Sequence, residues 1–492
     1  MFAASAKAEM FRCPGDEYDI SRSVHLARLA AFYSKCRDCP HAPAGNGSPT
    51  DAHPQGEITP LPAGQLRQGD ASLFVSEGVR GRYLNELTRA RAAKIAGAMA
   101  SCLWDDFVCS AQADSSAPIP FTQAAASDEH LTTEGIRILK PERPGPCVVV
   151  AHDERPSSPD IVTGVGQALR RMGCQVVDVG LATRPGWVYA VNHLQAAGGI
   201  HVTGAGCDPG MTGLDFVSQG GVPCSVRGEL DDIRARFHQG YSRPSRRPGS
   251  QRTFQASIPY EAGLWKHFHA LRPLKIALAC PSRAVHDVFS RIFRKLACRL
   301  LAVETPTRVR TSSDPADPDL VRVSRTIGQT QADLGVLIED DGEQCTFLDE
   351  RGRIVAPRLM AELLSEIASV GSRAGPVAVY PLAWQNGQVA SVSNRANIRA
   401  VSGDDAQDHQ TVHFIPDSSR ENMTRAMRRH QAGFGADGVG RIWFAESFAA
   451  CDAILSVVHL LQALSRSDDT LSRVIENVRG ARHVSPEERA IR

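Results

Sequence analysis

GGIHVTGAGCDPGMTGLDF, residues 198–216, is the stretch around which the rest of the chain is organised. The alternating apolar residues of 200–203 predict a short buried strand, and the glycines that follow mark a loop around Asp208. In an open α/β sheet, a loop at the carboxyl end of a strand presents backbone N–H groups that can approach an anion closely. The segment therefore predicts either an anion-binding loop or an ordinary connection, because glycine clusters are common in turns.

The residues before this loop alternate between strand and helix patterns. Apolar runs and helical spacing predict strand 148–151, helix 161–172, strand 175–179 and helix 187–197. Such alternation predicts a parallel sheet with crossover helices. The loop around Asp153 and Arg155 then lies at the same sheet edge as the glycine loop, so two candidate sites converge.

The chain resembles the phosphohexomutases, the phosphoglucomutase and phosphomannomutase family, from about residue 73 to about residue 475. That family carries G-x-D-x-R-x-S-S-P, then T-P, then I-T-A-S-H-N-P-x-x-x-N-G-x-K. This sequence offers His152–Pro159, Thr183 with Pro185, and Thr203–Asp215 in the same order. The resemblance implies an α/β fold of three consecutive phosphoglucomutase-like αβα domains with mixed, mostly parallel sheets, plus an N-terminal extension.

The domain organisation follows from the positions of these motifs. We expect an N-terminal extension with a linker at 1–70, domain I at 71–222, domain II at 223–354, domain III at 355–475 and a polar tail at 476–492. The family's fourth domain, whose R-x-S-G-T-E-P holds the substrate's distal phosphate, is expected to be absent. Apolar spacing also predicts a helix over 17–33, and the polar, proline-containing residues 111–146 predict a loop.

The family reaction passes a phosphoryl group through a phosphoserine, with Mg²⁺ and preorganised cations balancing the charge. When the motifs are matched without gaps, the family serine falls on Ala205 and a later lysine falls on Asp215. The resemblance places two arginines at the phosphoryl site: Arg80, within the opening stretch 73–104, and Arg155. Because alanine has no oxygen to carry phosphate, the nucleophile of the family reaction is missing.

Two interpretations of this loss remain open. Removing a nucleophile costs on the order of a million-fold in other enzymes, which predicts a non-catalytic protein that binds a sugar phosphate or a protein partner. A substitute nucleophile among Thr203, Cys207 and Asp208 would instead preserve an intramolecular phosphotransferase. A shift of one residue moves the reacting atom by about 3.3 Å, whereas sites tolerate roughly 0.5 Å, so the first interpretation is favoured.

The stretch ADLGVLIEDDGEQ, residues 332–344, resembles the family's metal loop A-D-x-x-x-x-x-D-G-D-x-D-R. Glu339, Asp341 and Glu343 keep carboxylates at the alternate positions that converge on a hard cation. Two of them are the longer glutamate, the family arginine is Gln344, and Mg²⁺ demands near-octahedral oxygens. The loop predicts weak magnesium binding, with a hydrated acidic turn as the alternative.

A second altered loop is FGADGVGRIWF, residues 434–444, which lies where the family has G-G-E-x-S-G-H, the loop that reads sugar hydroxyls. Asp437, Val439 and Arg441 stand at its glutamate, serine and histidine. A shorter acid still accepts a hydrogen bond, whereas valine cannot form one. The resemblance therefore implies a degenerate substrate-binding loop.

The N-terminal extension contains CRDCPH, residues 36–41. Cys36 and Cys39 have the spacing of zinc ligands, and Cys13, His25 or His41 would complete a set. No second C-x-x-C follows, so a redox pair or an ordinary thiol pair remain alternatives. A metal- or redox-responsive regulator is the third functional hypothesis.

Composition narrows the class of protein. A formal net charge of +1 over 492 residues gives no reason to expect nucleic acid or an anionic membrane as a partner. No apolar run reaches membrane-spanning length, and the first residues lack the apolar core of a signal peptide. Thirteen cysteines, an odd number, predict reduced thiols and a cytoplasmic location.

Overall fold

The computed structural model describes residues 10–12, 19–21, 25, 73–116, 144–310, 314–371, 377–387 and 411–483. The chain divides into two compact units, residues 1–65 and 66–492. In the first unit, β1 (Met10–Arg12) and β2 (Asp19–Ser21) pair antiparallel, and Arg12 Nε donates to Asp19 Oδ1 at 2.7 Å. The helix predicted over 17–33 is therefore wrong at 19–21, where pairing with β1 decides the backbone conformation. Cys36 and Cys39 lie outside the described residues.

The second unit contains the elements that position the site. Its described strands are β3 (Phe74–Val75), β4 (Gly78–Arg82), β5 (Cys147–His152), β6 (Gln175–Leu181), β7 (Gly198–Val202), β8 (Met211–Ser218), β9 (Gln251–Thr253), β10 (Lys275–Ala279), β11 (Arg299–Val303), β12 (Leu334–Ile338), β13 (Cys345–Leu348), β14 (Val377–Pro381), β15 (Thr411–Ile415), β16 (Phe434–Ala436), β17 (Ile442–Phe444) and β18 (Ala450–Cys451). Its described α-helices are α1 (Arg89–Ser116), α2 (Ser158–Arg171), α3 (Arg184–His193), α4 (Glu229–Gln239), α5 (Ser257–Trp265), α6 (Arg283–Phe293), α7 (Pro318–Thr330), α8 (Pro357–Gly371), α9 (Arg420–Arg429), α10 (Ala453–Leu464) and α11 (Leu471–His483).

Three mixed sheets follow one another along this unit, with strand orders β3-β4-β8-β7-β5-β6-β9, β11-β10-β12-β13 and β15-β14-β16-β17-β18. All three sheets contain the same four-strand repeat, formed by β5–β8, β10–β13 and β14–β17. The first strand of each repeat lies between the second and the third and is parallel to both. The fourth strand runs antiparallel to the third. Crossover helices make the parallel connections, as parallel pairing requires. The predicted α/β fold with mixed sheets is confirmed.

Side chains alternate between the two faces of the first sheet. Val148 and Val150 of β5 pack in one buried cluster with Ile161 of α2, whereas Val149 packs in a second cluster with Trp187 of α3. This period of two is what a strand buried on both faces requires. A single larger cluster joins the second and third sheets with α5, α6, α8, α10 and α11. The second and third sheets thus share this cluster, and each also carries a smaller cluster of its own.

Two boundaries differ from the sequence prediction. Helix α1 continues to Ser116, so the loop predicted over 111–146 is wrong at its first six residues, and α11 continues to His483, inside the predicted polar tail. The first sheet also takes its last strand, β9, from beyond the predicted boundary at residue 222 because β9 pairs in parallel with β6. No helix within the described ranges combines the length and apolarity that crossing a membrane needs.

Asp452 is a buried residue that fixes the start of α10. Its Oδ1 accepts a hydrogen bond from Leu455 N at 3.0 Å, and its Oδ2 accepts one from Tyr260 Oη at 2.8 Å. Burial raises the pKa of Asp452 to about 6. We expect Asp452→Ala to lower the free energy of unfolding by about 2–4 kcal/mol, because it removes the cap and strands the Tyr260 hydroxyl.

The matched variant for this prediction is Tyr260→Phe, which leaves the cap intact and should cost only about 1 kcal/mol. Urea unfolding followed by circular dichroism measures both. Equal losses in the two variants would contradict a capping role for Asp452.

Candidate functional site

Three loops leave the carboxyl ends of the third strand of each repeat: 203–210 after β7, 339–344 after β12 and 437–441 after β16. In this strand order, the crevice beside the carboxyl ends of the first and third strands is where α/β sheets bind ligands. Contacts join the loops: Gly206 N donates to Asp340 Oδ1 at 3.0 Å, and Cys345 N donates to Gly440 O at 3.0 Å. The three motifs, which are far apart in the sequence, therefore meet at one place in the folded chain. We call the space between these loops the cleft.

Hydrogen bonds hold the loop after β7 in a defined conformation. Gly204 N donates to Asp153 Oδ2 at 2.9 Å, and Ala205 N donates to the buried Thr203 Oγ1 at 2.9 Å. A Cβ at residue 204 would lie 2.5 Å from Met211 O, so this close approach requires glycine. The loop is built by its own backbone and by the motif that follows β5.

The side chain of Arg155 holds the same loop through hydrogen bonds. Its guanidinium, 7% exposed, donates to three backbone carbonyls, those of Cys207, Asp208 and Met211, at 3.0, 2.7 and 3.1 Å. It also pairs with Asp340 at 3.0 Å. The donors that would contact a phosphate are thus engaged by the loop itself in this structure.

At the position of the family serine the chain presents only the methyl group of Ala205, which is half-buried. Among the three alternative nucleophiles, Thr203 is 1% exposed and its hydroxyl oxygen accepts from Ala205 N. Cys207 is half-buried, and Asp208 is exposed beside Ala205. The geometry therefore disfavours Thr203 and leaves Cys207 and Asp208 as accessible groups.

Arg80 faces Asp215, where the resemblance places a lysine. Arg80 Nη1 lies 2.6 Å from Asp215 Oδ1, and Arg184 Nε lies 3.2 Å from Asp215 Oδ2. Burial by itself favours the protonated acid, but the two guanidinium groups outweigh it and lower the pKa of Asp215 to about 2. Asp215 is thus an ionised, buried carboxylate shared by two arginines.

Every carboxylate of the predicted metal loop pairs with an arginine. Glu339 Oε2 lies 2.9 Å from Arg310 Nη1. The other two acids share Arg420: its Nη2 lies 2.9 Å from Asp341 Oδ2, and its Nε contacts the Oε2 atom of Glu343. Burial raises the pKa of Glu339 to about 7, although Arg310 opposes this rise.

Arg184 and Arg420 extend this network across the cleft. Arg184 Nη1 lies 2.9 Å from Glu343 Oε1, so Glu343 joins two arginines from different loops. Arg420 Nη1 also lies 2.6 Å from Glu77 Oε2. Burial would raise the pKa of Glu77, but Arg420 and Arg441 lower it below its ordinary value.

The loop after β16 closes on itself. Asp437 Oδ1 accepts from Val439 N at 3.0 Å and from Arg441 N at 2.9 Å, and Asp437 Oδ2 accepts from Arg441 Nε at 2.8 Å. Burial raises the pKa of Asp437 even though Arg441 opposes the rise. Asp437, the acid predicted to accept a hydrogen bond from a sugar hydroxyl, is therefore already hydrogen-bonded within its own loop. Val439 is exposed.

The sequence and the fold were compared with those of known proteins. Residues 125–243 match the family profile of phosphoglucomutase/phosphomannomutase, alpha/beta/alpha domain I. The chain is 24% identical over 365 residues to the phosphoglucosamine mutase of Symbiobacterium thermophilum, with 70% of this chain and 78% of the relative aligned. It is 23% identical to the phosphomannomutase/phosphoglucomutase of Pseudomonas aeruginosa, over 65% of this chain and 66% of that protein. The chain is therefore similar in sequence to the phosphohexomutases.

A solved structure shows the same fold. The phosphoglucomutase/phosphomannomutase family protein of Burkholderia thailandensis superimposes with a TM-score of 0.61 over 83% of this chain and 79% of that chain, at 20% identity. In this chain, the predicted residues Arg80, Arg155 and Ala205 lie around one cleft with the acidic loop and the 437–441 loop. Their roles there stay predictions.

Four cleft residues were missed by sequence reasoning: Glu77, Arg184, Asp340 and Arg420. Two carried a local signal. Arg184 interrupts the T-P motif between Thr183 and Pro185, and Asp340 stands where the resembled metal loop has glycine. Glu77 and Arg420 are 343 residues apart in sequence, so only folding brings them together.

The acidic loop of this chain does not fit a resident Mg²⁺. Mg²⁺ needs carboxylate oxygens free to complete an octahedral shell. Here Glu339, Asp341 and Glu343 already pair with guanidinium groups, which occupy the oxygens that an octahedral shell would need. The arginines supply the positive charge that a metal ion would otherwise bring.

Asp215 makes a pH-dependent contribution to stability. Its folded pKa, about 2, lies below its ordinary value of 3.8, so its ionisation stabilises the fold above about pH 4, and this contribution is lost as the pH falls towards about 2. We expect Asp215→Asn to remove about 2 kcal/mol of this acid-dependent stability. Urea unfolding between pH 3 and pH 7 measures the free energy of unfolding. Its decrease at acid pH, which we call the acid limb, should be smaller in the variant than in the wild type.

Asp437→Asn is the matched control, because Asp437 is also buried beside an arginine but its pKa is raised. Its removal should leave the acid limb unchanged or steeper. Equal flattening in both variants would contradict the assignment to Asp215.

Arg420 is the shared partner of three acids, so Arg420→Met should leave unpaired buried charge and cost about 3–5 kcal/mol. The freed carboxylates should then respond to millimolar Mg²⁺ with a rise in Tm, whereas the wild-type Tm should not change. Arg429→Met, at an exposed position of the same helix, is the control. A wild-type response to Mg²⁺ as large as that of the variant would contradict this account.

Proposed function

We propose that this chain is a non-catalytic member of the phosphohexomutase family that acts by binding a hexose phosphate in the cleft rather than by transferring its phosphoryl group. The observation that carries the proposal is the pairing of all three metal-loop carboxylates with arginines, in a chain that has alanine at position 205. The names of the relatives, phosphoglucosamine mutase and phosphomannomutase/phosphoglucomutase, indicate the ligand class.

Phosphoryl transfer by this family's route needs a nucleophile and cations that act on the transferring group. Ala205 has no group to phosphorylate. Arg80 and Arg155 are buried against Asp215 and the loop carbonyls, so their charge is already compensated in the ground state. Interactions satisfied before the reaction begins do not lower its barrier.

The cleft nevertheless keeps features of a ligand site. The exposed backbone of 206–210 follows the buried strand β7, and Gly206 has a φ of +74°, which opens the turn. Asp208 is exposed on the loop 203–210, and Val439 is exposed on the loop 437–441. We expect a sugar phosphate to bind with modest affinity and without a metal ion.

The second candidate function is an active intramolecular phosphotransferase with a substitute nucleophile. The exposure of Asp208 and the half-buried position of Cys207 favour it over a route through Thr203. Each group would have to move onto the reaction path that the family serine occupies. This alternative predicts a phosphorylated residue and a metal requirement.

The cysteines support a cytoplasmic location, which remains part of the proposal. Nine described cysteines are free thiols, namely Cys102, Cys147, Cys174, Cys207, Cys224, Cys280, Cys298, Cys345 and Cys451. Most of them are buried. Free thiols of this kind are typical of reducing compartments.

Intact mass spectrometry after incubation with glucose 1,6-bisphosphate and Mg²⁺ tests the proposal directly. We expect the wild-type chain to remain unmodified and to show no hexose-phosphate mutase activity. Ala205→Ser should also remain inactive, because restoring a hydroxyl does not free the paired carboxylates. In parallel, titration with hexose phosphates should raise the wild-type Tm equally with Mg²⁺ and with EDTA.

A phosphoryl adduct on the wild-type chain would overturn the proposal. Its loss in Cys207→Ser or in Asp208→Asn would then name the nucleophile. If no hexose phosphate changes the Tm, the ligand assignment fails while the non-catalytic assignment stands.

A further inference from the structure

Outside the cleft, one cluster brings together two histidines and a glutamate. His459 Nε2 lies 2.7 Å from Glu446 Oε1, and His267 Nε2 lies 3.0 Å from Glu446 Oε2. The three candidate ligand atoms all lie within 4.8 Å of one another. Two imidazoles and one carboxylate form a ligand set that is used for divalent transition metals.

Gln462 fixes which nitrogen of His459 is available. Its amide Nε2 donates to His267 O at 2.9 Å, and because a carbonyl can only accept, the amide orientation is settled. The amide oxygen then faces His459 Nδ1 at 3.2 Å, so Nδ1 must carry the proton. His459 Nε2 is thereby directed to Glu446 as a potential ligand atom, the arrangement by which outer hydrogen bonds orient metal-binding histidines.

His267 supplies the second observation. Its Nε2 atom is buried and has no hydrogen-bond partner, although it lies 3.0 Å from a Glu446 oxygen. The two imidazole rings pack edge to face with centroids 5.1 Å apart. This ring nitrogen is buried, makes no hydrogen bond of good geometry and lies close to a carboxylate and a second histidine. Coordination to a metal ion would give it a partner.

Lys266 is the competing cation, with its Nζ atom 3.0 Å from Glu446 Oε2. Its side chain is 57% exposed, whereas that of His459 is 6% exposed. The lysine can therefore swing into solvent at little cost when a metal ion takes the carboxylate. The two histidines cannot leave as easily. The cluster therefore keeps both histidines next to Glu446, and only Lys266 has to be displaced by the metal ion.

We infer that His267, Glu446 and His459 form a site for a divalent transition metal ion, with Zn²⁺ as the ion best suited to this ligand set. Three protein ligands leave a fourth tetrahedral position for water. The ion would link the turn after α5 to the short 3₁₀ helix Ala445–Ser447 and to α10.

The site is independent of the cleft. Its three residues belong to none of the loops 203–210, 339–344 and 437–441. It is also distinct from Cys36 and Cys39, which would bind through sulfur. The two sites are distinguishable by bond length, because zinc lies about 2.0–2.1 Å from histidine nitrogen and about 2.3 Å from cysteine sulfur.

The test uses the full chain after treatment with EDTA, titrated with ZnCl₂ by calorimetry and examined by X-ray absorption. We expect one equivalent of zinc with nitrogen and oxygen neighbours and a Tm that rises by a few degrees. Glu446→Gln and His267→Ala should each weaken binding by at least about 10-fold. His269→Ala, an exposed neighbour in the same segment, and Cys36→Ser with Cys39→Ser should bind zinc as the wild type does.

Circular dichroism of Glu446→Gln, which preserves shape and size, separates loss of the site from loss of the fold. Sulfur neighbours in the absorption spectrum, or loss of zinc only in the Cys36/Cys39 variant, would overturn the inference. So would the absence of zinc binding by the folded wild-type chain, or undiminished binding by a folded Glu446→Gln.

Discussion

Alternating buried charges run through the cleft in the order Arg80, Asp215, Arg184, Glu343 and Arg420. Each acid is shared by two arginines, and the five residues come from β4, β8, the start of α3, the loop after β12 and the start of α9. Charges removed from water are tolerable only when each has a partner. The position of the acidic loop relative to β4, β8 and the first residues of α3 and α9 therefore depends on this network.

The same network engages the charged groups of the cleft with one another. Catalysis comes from interactions that strengthen in the transition state, so charged groups that serve phosphoryl transfer must be able to act on the transferring group. Here Glu343 is neutralised by two guanidinium groups and Asp341 by one. These ion pairs lie beside a framework of three repeated sheets that does not by itself specify a reaction.

Sequence patterns located most regular elements close to their observed positions. The strand expected at 148–151 is β5 at 147–152, and the helix expected at 187–197 begins earlier, at Arg184, because Thr183 caps it by accepting from Gly186 N at 3.2 Å. The errors fall where distant segments decide the outcome. Residues 19–21 became a strand through pairing with β1, and 251–253 joined the first sheet through pairing with β6. Periodicity within a segment carries no information about such partners.

The sequence by itself determined the alternation of strands and helices, the glycine loop, the missing serine oxygen at Ala205 and the identity of the altered loops. These are properties of neighbouring residues, so local periodicity and residue chemistry suffice to read them. Only the tertiary structure decided that Arg184 and Arg420 neutralise the acidic loop and that His267 meets His459. Charge pairing and metal-ligand geometry depend on separations of a few ångströms between residues far apart in the chain, and folding alone sets those separations.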